Sequence, residues 1–415
     1  MQGTVGGSEP DCLNKVIIIE GTGMIGYNSC AANIKKEEEN QMKEFFGTQM
    51  PKLGFGMMRL PRFEDKSFDI EQVKEMVDRF LASGLKYVDT AYVYQGSEEV
   101  VKQALVDRYP RDSYYLATKL NAGNWAAANE EEAKKQLQTS LERTGAGYFD
   151  FYLLHALSKE NIDNYEKYGI WEFVKEAKEK GLIRHYGFSF HDSAEVLEEV
   201  LTKHPDAEFV QLQINYADWD DPIVQSRKVY EVCVKHNKPV VVMEPVKGGT
   251  LANPPQQITD IFKEANPDAS NASWAIRYVA SLDQVMVVLS GMSTIGQMED
   301  NLSYMSDFKP LDEAEQQTIE KAQKALAGIT QIKCTSCHYC TKGCPMQINI
   351  PGIFAAMNRD LIYGQTEDAK RRYLSATKEG GKASECIHCL QCEDACPQHI
   401  EITSWLEKAA AQLEQ

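Results

Sequence analysis

Eight short hydrophobic segments, each followed by a segment with helical periodicity, recur between about residue 51 and residue 305. The hydrophobic segments are Leu53–Met58, Lys86–Ala91, Tyr114–Leu120, Phe149–His155, Arg184–His191, Phe209–Tyr216, Pro239–Val246 and Val285–Gly291. The helical segments are Asp69–Ser83, Glu98–Arg108, Glu130–Thr144, Gly169–Lys180, Ala194–His204, Val224–Asn237, Ser273–Leu282 and Met298–Met305. Strands that alternate with helices predict a parallel sheet, and eight such units favour an α/β fold closed as a (β/α)8 TIM barrel over an open doubly wound sheet.

Length and charge narrow the classes of function. The chain has 415 residues, with 44 Lys+Arg against 61 Asp+Glu and a formal charge of −17. At roughly 100–200 residues per domain, the length suggests two to four domains, or one large barrel with an appended smaller domain. The acidic balance argues against nucleic acid or an anionic membrane as the main partner, because both attract clustered basic side chains.

The chain carries no sequence signal for insertion into a membrane or for secretion. No apolar run approaches the roughly 20 residues that cross a bilayer. The run Val16–Ile19 is too short for the apolar core of a signal peptide. We therefore expect a cytoplasmic protein, in which paired disulfides are rare. The 11 cysteines of the chain then need another explanation.

Eight cysteines form two copies of one spacing, in which three cysteines separated by two residues are followed by a Cys-Pro pair. This is the spacing of [4Fe–4S] ligands, and in two-cluster proteins the fourth cysteine of each copy ligates the other cluster. Zinc ribbons lack the third cysteine and the Cys-Pro pair. The sequence thus predicts two clusters, one held by Cys334, Cys337, Cys340 and Cys396 and the other by Cys386, Cys389, Cys392 and Cys344.

The segment between the two cysteine runs is long and has helical character, above all over Ile353–Tyr363. Residues 331–415 therefore resemble the helical type of dicluster ferredoxin domain rather than a compact small ferredoxin. The resemblance implies a small, mainly α-helical, ferredoxin-like iron–sulfur domain. Such clusters are sensitive to oxygen, which suits an anaerobic cytoplasm.

Polar side chains end three consecutive strands of the predicted barrel. Asp89 ends the second strand, Lys119 the third and His155 the fourth, and Tyr92 and Tyr94 follow the second. The chemistry of such barrels lies at the C-terminal ends of the strands, so these side chains are predicted to converge. A tyrosine has an ordinary pKa near 10, and a neighbouring ammonium lowers it toward the range useful in acid–base catalysis. Lys119, held by Asp89, can act in this way.

The run from Tyr87 to Glu98, in which Asp89 is followed five residues later by Tyr94, resembles the signature of the aldo/keto reductase family. The segments that end in Lys119 and His155 resemble the lysine and histidine segments of that family. The resemblance covers most of 51–305 and implies an NAD(P)H-dependent enzyme that interconverts a carbonyl and an alcohol. It implies Tyr94 as general acid/base, supported by Asp89, Lys119 and His155. Tyr92 is the alternative, two residues out of register.

The same resemblance implies a nicotinamide cofactor over the barrel mouth. Ser189 and Gln211 match residues that hold its carboxamide, and Met243 stands where relatives carry a stacking aromatic residue. NADPH-specific relatives carry basic residues at the positions of Gly291 and Gln297, so the choice stays open, with NADH slightly favoured. The residues placed against the cofactor are Ser189, Gln211, Asn215, Met243, Pro245, Lys247, Gly291, Ser293, Gln297, Asp300 and Asn301.

The N-terminal segment carries Gly21, Gly23 and Gly26 in the spacing of a dinucleotide-binding fingerprint. The helix, second strand and acidic residue that such a site needs do not follow, so we interpret the match as fortuitous. The family resemblance begins near Met42. We therefore expect 1–41 to be a disordered leader or an over-extended reading frame, 42–330 to form the barrel and 331–415 the dicluster domain.

The two predicted modules differ in the chemistry of their electrons. A hydride is a two-electron unit, whereas a cluster takes one electron at a time, and flavins normally join the two. The sequence has no clear flavin motif, which favours structural clusters or a docked redox partner protein. Two alternatives remain open. One is an electron-transfer or partner-docking protein whose barrel is a scaffold, and the other is a cluster-gated redox sensor. The expected substrate is an aldehyde, a ketone or a sugar-like molecule. The sequences of the barrel loops do not indicate which of these it is.

Overall fold

A computed structural model describes residues 43–334, 336, 338–396 and 398–415 of the chain. The predicted leader, its glycine fingerprint and the predicted ligand Cys337 lie outside the described residues. Within the described part of the chain, no helix has both the length and the apolar character that crossing a lipid bilayer requires.

The eight predicted strands are confirmed, and they pair in parallel and in chain order until the last closes against the first. They are β1 (Leu53–Gly56), β2 (Tyr87–Asp89), β3 (Tyr115–Leu120), β4 (Phe149–Leu157), β5 (Ile183–Phe190), β6 (Val210–Gln213), β7 (Val240–Met243) and β8 (Val285–Ser290). Strands of a parallel barrel are buried on both faces. Their sequences are therefore nearly continuous apolar runs, which is why the strands could be predicted from the sequence.

Helices follow the strands, and several begin at a residue that caps them. Asn129, Ser270 and Thr294 each accept a hydrogen bond from the backbone N–H three residues further on, which satisfies a donor at the helix start. The helices of the barrel are α1 (Ile70–Ala82), α2 (Ser97–Val101), α3 (Glu130–Thr144), α4 (Ile162–Lys167), α5 (Ile170–Glu179), α6 (Ala194–Lys203), α7 (Ser226–Lys235), α8 (Gln256–Ala265), α9 (Asn271–Ala280), α10 (Ile295–Met305) and α11 (Glu313–Ala327).

Two parts of the barrel differ from the predicted helices. The predicted helix Glu98–Arg108 is α-helical only over α2 and continues as a π-helical segment, Lys102–Val106. Helices α4, α8 and α11 were not predicted, because they add to the strand–helix alternation rather than continue it. Helices α8 and α11 share one buried apolar cluster, to which α8 contributes Phe262 and α11 contributes Ile319.

The chain just before β1 closes the N-terminal end of the barrel. Phe45 and Met50 are buried in the cluster that fills the barrel interior, together with Phe151. The ring of Phe46 packs at a tilt against His185, with 4.1 Å between the ring centroids. This plug occupies the N-terminal end of the strands. The residues that end the strands therefore lie away from it, at the opposite end of the barrel.

The C-terminal part of the chain, residues 332–415, is helical as predicted and is called the cysteine region below. Its longest helix begins at Ile350, three residues before the predicted start, because Asn349 caps it and Pro351 fits its first turn. Gly364, with φ of +62°, ends it. The helices are α12 (Tyr339–Lys342), α13 (Ile350–Tyr363), α14 (Thr366–Ala376), α15 (Gln391–Asp394) and α16 (Ile402–Leu413).

The cysteine region contains an internal repeat with a period of 52 residues. Helices α12 and α15 begin 52 residues apart, and so do α13 and α16. Three pairs of non-glycine residues with positive φ recur at the same distance around the cysteines: Ser336 and His388, His338 and Leu390, and Gln347 and His399. Over the described residues, the two cysteine runs therefore share these backbone turns as well as one spacing.

Candidate active site and cysteine pockets

The four residues predicted to catalyse converge at the C-terminal end of the barrel. Asp89 ends β2, and Lys119 and His155 lie near the ends of β3 and β4. Tyr94 lies in the turn that follows β2. Parallel pairing of β2, β3 and β4 sets these strand ends side by side, which is why three segments distant in sequence reach one site.

Lys119 is the most firmly held of the four. Its Nζ donates to Asp89 Oδ1 at 2.5 Å and to the Thr90 carbonyl oxygen at 2.6 Å, and its side chain is fully buried. Burial alone would lower the pKa of Lys119. The attraction of the Asp89 carboxylate, aided by the interaction with the Tyr94 hydroxyl, outweighs this effect, and the pKa of Lys119 lies above its ordinary value. Lys119 is therefore an ammonium at neutral pH.

Tyr94 lies between Lys119 and His155. Lys119 Nζ is 4.9 Å from the centroid of the Tyr94 ring, and the His155 ring meets it edge-on with 5.7 Å between centroids. Desolvation raises the pKa of Tyr94, and Lys119 opposes this without reversing it. The lowered pKa that we expected from the sequence is thus not found, because the loss of hydration outweighs the nearby positive charge. The phenol is protonated at neutral pH.

His155 is a neutral imidazole at neutral pH. Burial, and then the positive charge of Lys119, hold the pKa of His155 well below its ordinary value. Its Nδ1 is buried and has no hydrogen-bond partner among the described residues. The Tyr165 hydroxyl donates to the His155 carbonyl oxygen at 2.5 Å, which fixes the backbone at this point.

Tyr92, the alternative to Tyr94, lies in a different environment. The guanidinium of Arg143 is 4.7 Å from the centroid of the Tyr92 ring, and its Nη1 donates to the Tyr92 carbonyl oxygen at 3.1 Å. Arg143 also pairs with the buried Glu98, which accepts a hydrogen bond from Thr118 at 2.8 Å. The geometry therefore brings the ring of Tyr94, and not that of Tyr92, to the Lys119 ammonium, although the Tyr92 backbone N–H donates to the Lys119 carbonyl oxygen at 3.2 Å. The bracing role of Glu98 was missed, although Glu98 closes the quoted signature.

Ser189 and Gln211 are paired neighbours on β5 and β6 and are both buried. The Ser189 hydroxyl accepts from the backbone N–H of Ala156 at 2.7 Å. Gln211 Nε2 lies 3.4 Å from the sulfur of Met243, and its Oε1 is buried without a hydrogen-bond partner in the described residues. A buried amide oxygen without a donor is costly, and a ligand amide would satisfy it.

The structure gives Asn215 and Lys247 partners within the protein. Asn215 Nδ2 donates to Asp218 Oδ2 at 2.8 Å, and Asn215 Oδ1 accepts from the Asp218 backbone N–H at 2.9 Å. Lys247 Nζ forms an ion pair with the same buried Asp218. Pro245, two residues before Lys247 in the chain, is buried. Asn215 thus braces the loop that follows β6, and Lys247 is tied to that loop.

The stretch after β8 is likewise internally connected. Gln297 Oε1 accepts from the Ser293 N–H at 2.7 Å, and the Ser293 hydroxyl donates to the Arg59 carbonyl oxygen at 2.6 Å. Asp300 accepts from Ser270 at 3.0 Å, whereas the Oδ1 of the buried Asn301 has no hydrogen-bond partner in the described residues. Gly291 is exposed.

Arg59 was missed by the sequence reasoning. It follows β1 and pairs with Glu244, after β7, at 2.9 Å between Nη2 and Oε1. Its side chain also lies against Gly291, where a Cβ would be 3.8 Å from that of Arg59. It therefore brings a cation to the segment in which the sequence showed none, and no local pattern around Arg59 marks it.

Two pockets in the cysteine region are lined by cysteines. The first pocket, as it is called below, is lined by Cys334, Cys340 and Cys396, with apolar walls from Ile350, Pro351 and Phe354. The second pocket is lined by Cys344, Cys386, Cys389 and Cys392. Apart from Cys337, each pocket collects one of the two predicted ligand groups. Thiolates in an apolar surrounding suit iron–sulfur clusters.

Family models match both parts of the chain. The model described as the aldo/keto reductase family matches residues 52–324. The model described as a 4Fe-4S dicluster domain matches residues 333–401.

Individual relatives agree with the first match. The chain is 26% identical over 313 residues to the uncharacterized oxidoreductase YqkF of Bacillus subtilis, covering 66% of this chain and 95% of that protein. The holo form of aldo-keto reductase AKR11C1 from Bacillus halodurans is similar at 26% identity and a TM-score of 0.55, over 68% of this chain and 95% of that one. An aldo-keto reductase from Klebsiella pneumoniae in complex with NADPH has the same fold, at 22% identity and a TM-score of 0.50, over 66% and 90% of the two chains.

Proposed function

Since this chain belongs to the aldo/keto reductase family and carries a 4Fe-4S dicluster domain after its barrel, we propose that it interconverts a carbonyl compound and an alcohol with NADH or NADPH. The observation that carries the proposal is the position of Tyr94 against both Lys119 and His155. The substrate class is an aldehyde, a ketone or a sugar-like molecule. We place the barrel domain at 42–330 and the dicluster domain at 331–415, in the cytoplasm.

Each of the four residues has a role that follows from its charge. When bound, the nicotinamide supplies a hydride to the carbonyl carbon. Tyr94 donates its phenolic proton to the carbonyl oxygen, and its raised pKa keeps that proton in place until then. Lys119 stabilises the phenolate that remains, and Asp89 holds the Lys119 ammonium. His155, kept neutral, can orient the carbonyl oxygen without adding a second positive charge.

The nicotinamide end of the cofactor site is formed by Ser189, Gln211 and Met243. The unpartnered Gln211 Oε1 can accept from the carboxamide amino group. Met243 supplies a thioether beside Gln211 that can pack on the ring. Asn215 and Pro245 shape this site from the loops rather than from its surface. We therefore assign Asn215 a bracing role through Asp218.

The adenosine and phosphate end is formed by Gly291, Ser293, Gln297, Asp300 and Asn301, with Lys247 on the facing loop. Asn301 Oδ1 is a buried acceptor without a partner among the described residues, which fits a contact with the adenine amino group. Lys247 can reach a phosphate only by leaving Asp218. Neither Gly291 nor Gln297 offers a cation to a 2′-phosphate, and the Arg59 guanidinium beside Gly291 is paired with Glu244, so we propose either nucleotide, with a slight preference for NADH.

We propose two [4Fe–4S] clusters, one in each cysteine pocket. Cys334, Cys340 and Cys396 line the first pocket, and Cys337 belongs to the same group by spacing. Cys344, Cys386, Cys389 and Cys392 line the second. The proposal is supported by the convergence of Cys396 on Cys334 and Cys340, and of Cys344 on the three cysteines of the other run. Direct hydride transfer needs no cluster, so the clusters brace the cysteine region or serve a redox partner protein.

Replacement of Tyr94 by phenylalanine tests the proposed function. The variant keeps the ring against Lys119 and loses the proton, so the rate of carbonyl reduction should fall by about a thousandfold, within the range of general acid catalysis. The measurement is NADH and NADPH oxidation under argon with a panel of aldehydes, ketones and sugars. Tyr92→Phe is the matched control and should keep its rate within about twofold, because its hydroxyl lies outside the proposed proton path.

Urea unfolding followed by tryptophan fluorescence distinguishes loss of catalysis from misfolding of the barrel, and both the unfolding midpoint and the visible iron–sulfur absorbance should be unchanged in both variants. A Tyr94→Phe protein that retains full turnover contradicts the assignment of Tyr94. A wild-type protein that oxidises neither nucleotide with any carbonyl compound contradicts the reductase proposal, and favours the scaffold alternative.

A further inference from the structure

Helix α13 forms part of the wall of the first pocket. Ile350, Pro351 and Phe354, in its N-terminal half, line that pocket. Further along the helix, the Asn358 side chain clamps the backbone of Ile332, accepting from its N–H at 2.7 Å and donating to its carbonyl oxygen at 2.8 Å. Ile332 lies two residues before Cys334. The position of α13 and the position of the first ligand are therefore set by the same contacts.

The C-terminal half of α13 contacts the barrel. Arg359 Nη2 donates to Thr250 Oγ1 at 2.8 Å, and Arg359 Nε donates to Asp368 of α14 at 2.9 Å. Tyr363, at the end of α13, packs on the apolar cluster that includes the buried Leu251. Thr250 is also buried. The guanidinium of Arg359 thus joins helices α13 and α14 of the cysteine region to one short segment of the barrel.

That segment is the β7 loop, defined here as residues 244–252. It follows Met243, carries Lys247, and contains Gly248 and Gly249, whose φ values of +66° and +93° belong to the left-handed region. Two consecutive glycines leave the backbone few conformational restraints of its own. The contacts of Thr250 and Leu251 with α13 therefore fix the second half of a loop whose first half belongs to the proposed cofactor site.

We propose that Arg359 is a positioning residue, through which a cluster in the first pocket sets the affinity of the barrel for its nicotinamide nucleotide. The inference rests on the proposed function, because it takes the β7 loop as part of the nucleotide site. A filled first pocket fixes the N-terminal half of α13, and the helix, which is rigid over its 14 residues, transmits that position to Thr250. The β7 loop is then preorganised, and the nucleotide binds without the cost of ordering it.

The test is a fluorescence titration of the full chain with NADH and with NADPH, before and after removal of iron by an oxidant and a chelator. Removal of iron should weaken nucleotide binding by the wild-type protein about tenfold, a usual size for coupling between two sites. Arg359→Met should weaken binding about as much with its iron retained. Iron removal should then have little further effect on the variant, because the connection is already broken.

Three further variants separate positioning from general stability. Thr250→Val removes the acceptor on the barrel side, leaves α13 unchanged, and should reproduce the effect of Arg359→Met. Thr250→Ser keeps the hydroxyl and should bind nucleotide like the wild type. The matched control is Arg372→Ala, which also removes a partner of Asp368. Arg372 Nε donates to Asp368 at 2.8 Å, but the Arg372 side chain is more than half exposed.

The outcomes separate this inference from the proposed function. Wild-type affinity that does not change on iron removal contradicts the coupling, and so does normal affinity in both Arg359→Met and Thr250→Val. If Arg359→Met loses its iron, Thr250→Val still tests the connection, because it alters only the barrel. A wild-type protein that binds neither nucleotide contradicts the proposed function as well, whereas wild-type binding with unaffected variants contradicts the inference alone.

Discussion

The barrel mouth and the cysteine region hold their reactive side chains in different ways. Lys119 lies on a strand paired on both sides, and its ammonium contacts Asp89 and the Thr90 carbonyl oxygen. The described cysteines of the cysteine region lie on loops and on one-turn helices, near left-handed non-glycine residues such as His338 and Leu390. Such residues cost about 1–3 kcal/mol each and persist where their surroundings fix them.

The difference indicates which interactions hold each site in its geometry. The barrel site is fixed by backbone pairing and by a buried ion pair, which are contacts of the chain with itself. The proposed cluster sites draw on bonds between thiolates and metal, and in such domains the free energy of metal binding is free energy of folding. We therefore expect changes in the barrel mouth to act on catalysis and barrel stability, and changes in the cysteines to act on iron content.

The largest expected effect on stability comes from breaking the buried ion pair of the barrel mouth. Lys119→Met leaves the buried Asp89 carboxylate without its counter-charge, which should lower the free energy of unfolding of the barrel by about 3–5 kcal/mol. Urea unfolding under argon, followed by tryptophan fluorescence, measures the change. The iron absorbance of the folded variant should match that of the wild type.

The matched control for Lys119→Met is an ion pair on the surface. Lys180 contacts Glu176 at 3.4 Å, and both side chains are more than half exposed. Lys180→Met should change the unfolding free energy by less than about 0.5 kcal/mol, because water and salt screen such pairs. Equal unfolding midpoints for Lys119→Met and Lys180→Met would show that the buried pair does not organise the barrel mouth.

His155 gives a smaller effect that depends on pH. Its pKa in the folded protein lies well below its ordinary value near 6.5, so the unfolded chain binds a proton that the folded chain does not. Below about pH 6.5 this proton favours unfolding, and it should lower the unfolding free energy by up to about 1.4 kcal/mol per pH unit. Above about pH 6.5 neither state is protonated at His155, and the contribution is constant.

The His155→Gln variant isolates this term, because protonation of cluster ligands also destabilises the cysteine region in acid. Urea midpoints between pH 7.5 and pH 5.5 should fall less steeply in the variant than in the wild type. Parallel pH profiles for the two proteins would show that His155 carries a proton in the folded barrel, which is inconsistent with its proposed role as a neutral residue.

The sequence predicted the features whose determinants are local. The spacing of Asp89 and Tyr94 and the repeated spacing of the cysteines each involve few residues. Each strand could likewise be recognised from its own apolar run. The lowered pKa of Tyr94 was predicted wrongly, because charge is visible in a sequence and desolvation is not. The contacts of Arg59 with Glu244 and of Arg359 with Thr250 join residues more than 100 positions apart, and only the folded chain brings them together.

The smallest expected change in catalysis, and the sharpest test of the comparison, is removal of a cysteine from the first pocket. Cys340→Ala should release one of the two proposed clusters and lower the iron content by about half. The turnover number at saturating nucleotide should stay within about twofold, because Tyr94, Lys119 and His155 are held by the barrel. Iron analysis and steady-state rates under argon measure both.

Cys233→Ala, in helix α7 of the barrel, is the control. That thiol is buried apart from the pockets, so its removal should leave the iron content unchanged. Full iron in Cys340→Ala, or loss of turnover beyond about tenfold, would contradict the division between a strand-held active site and a metal-held cysteine region.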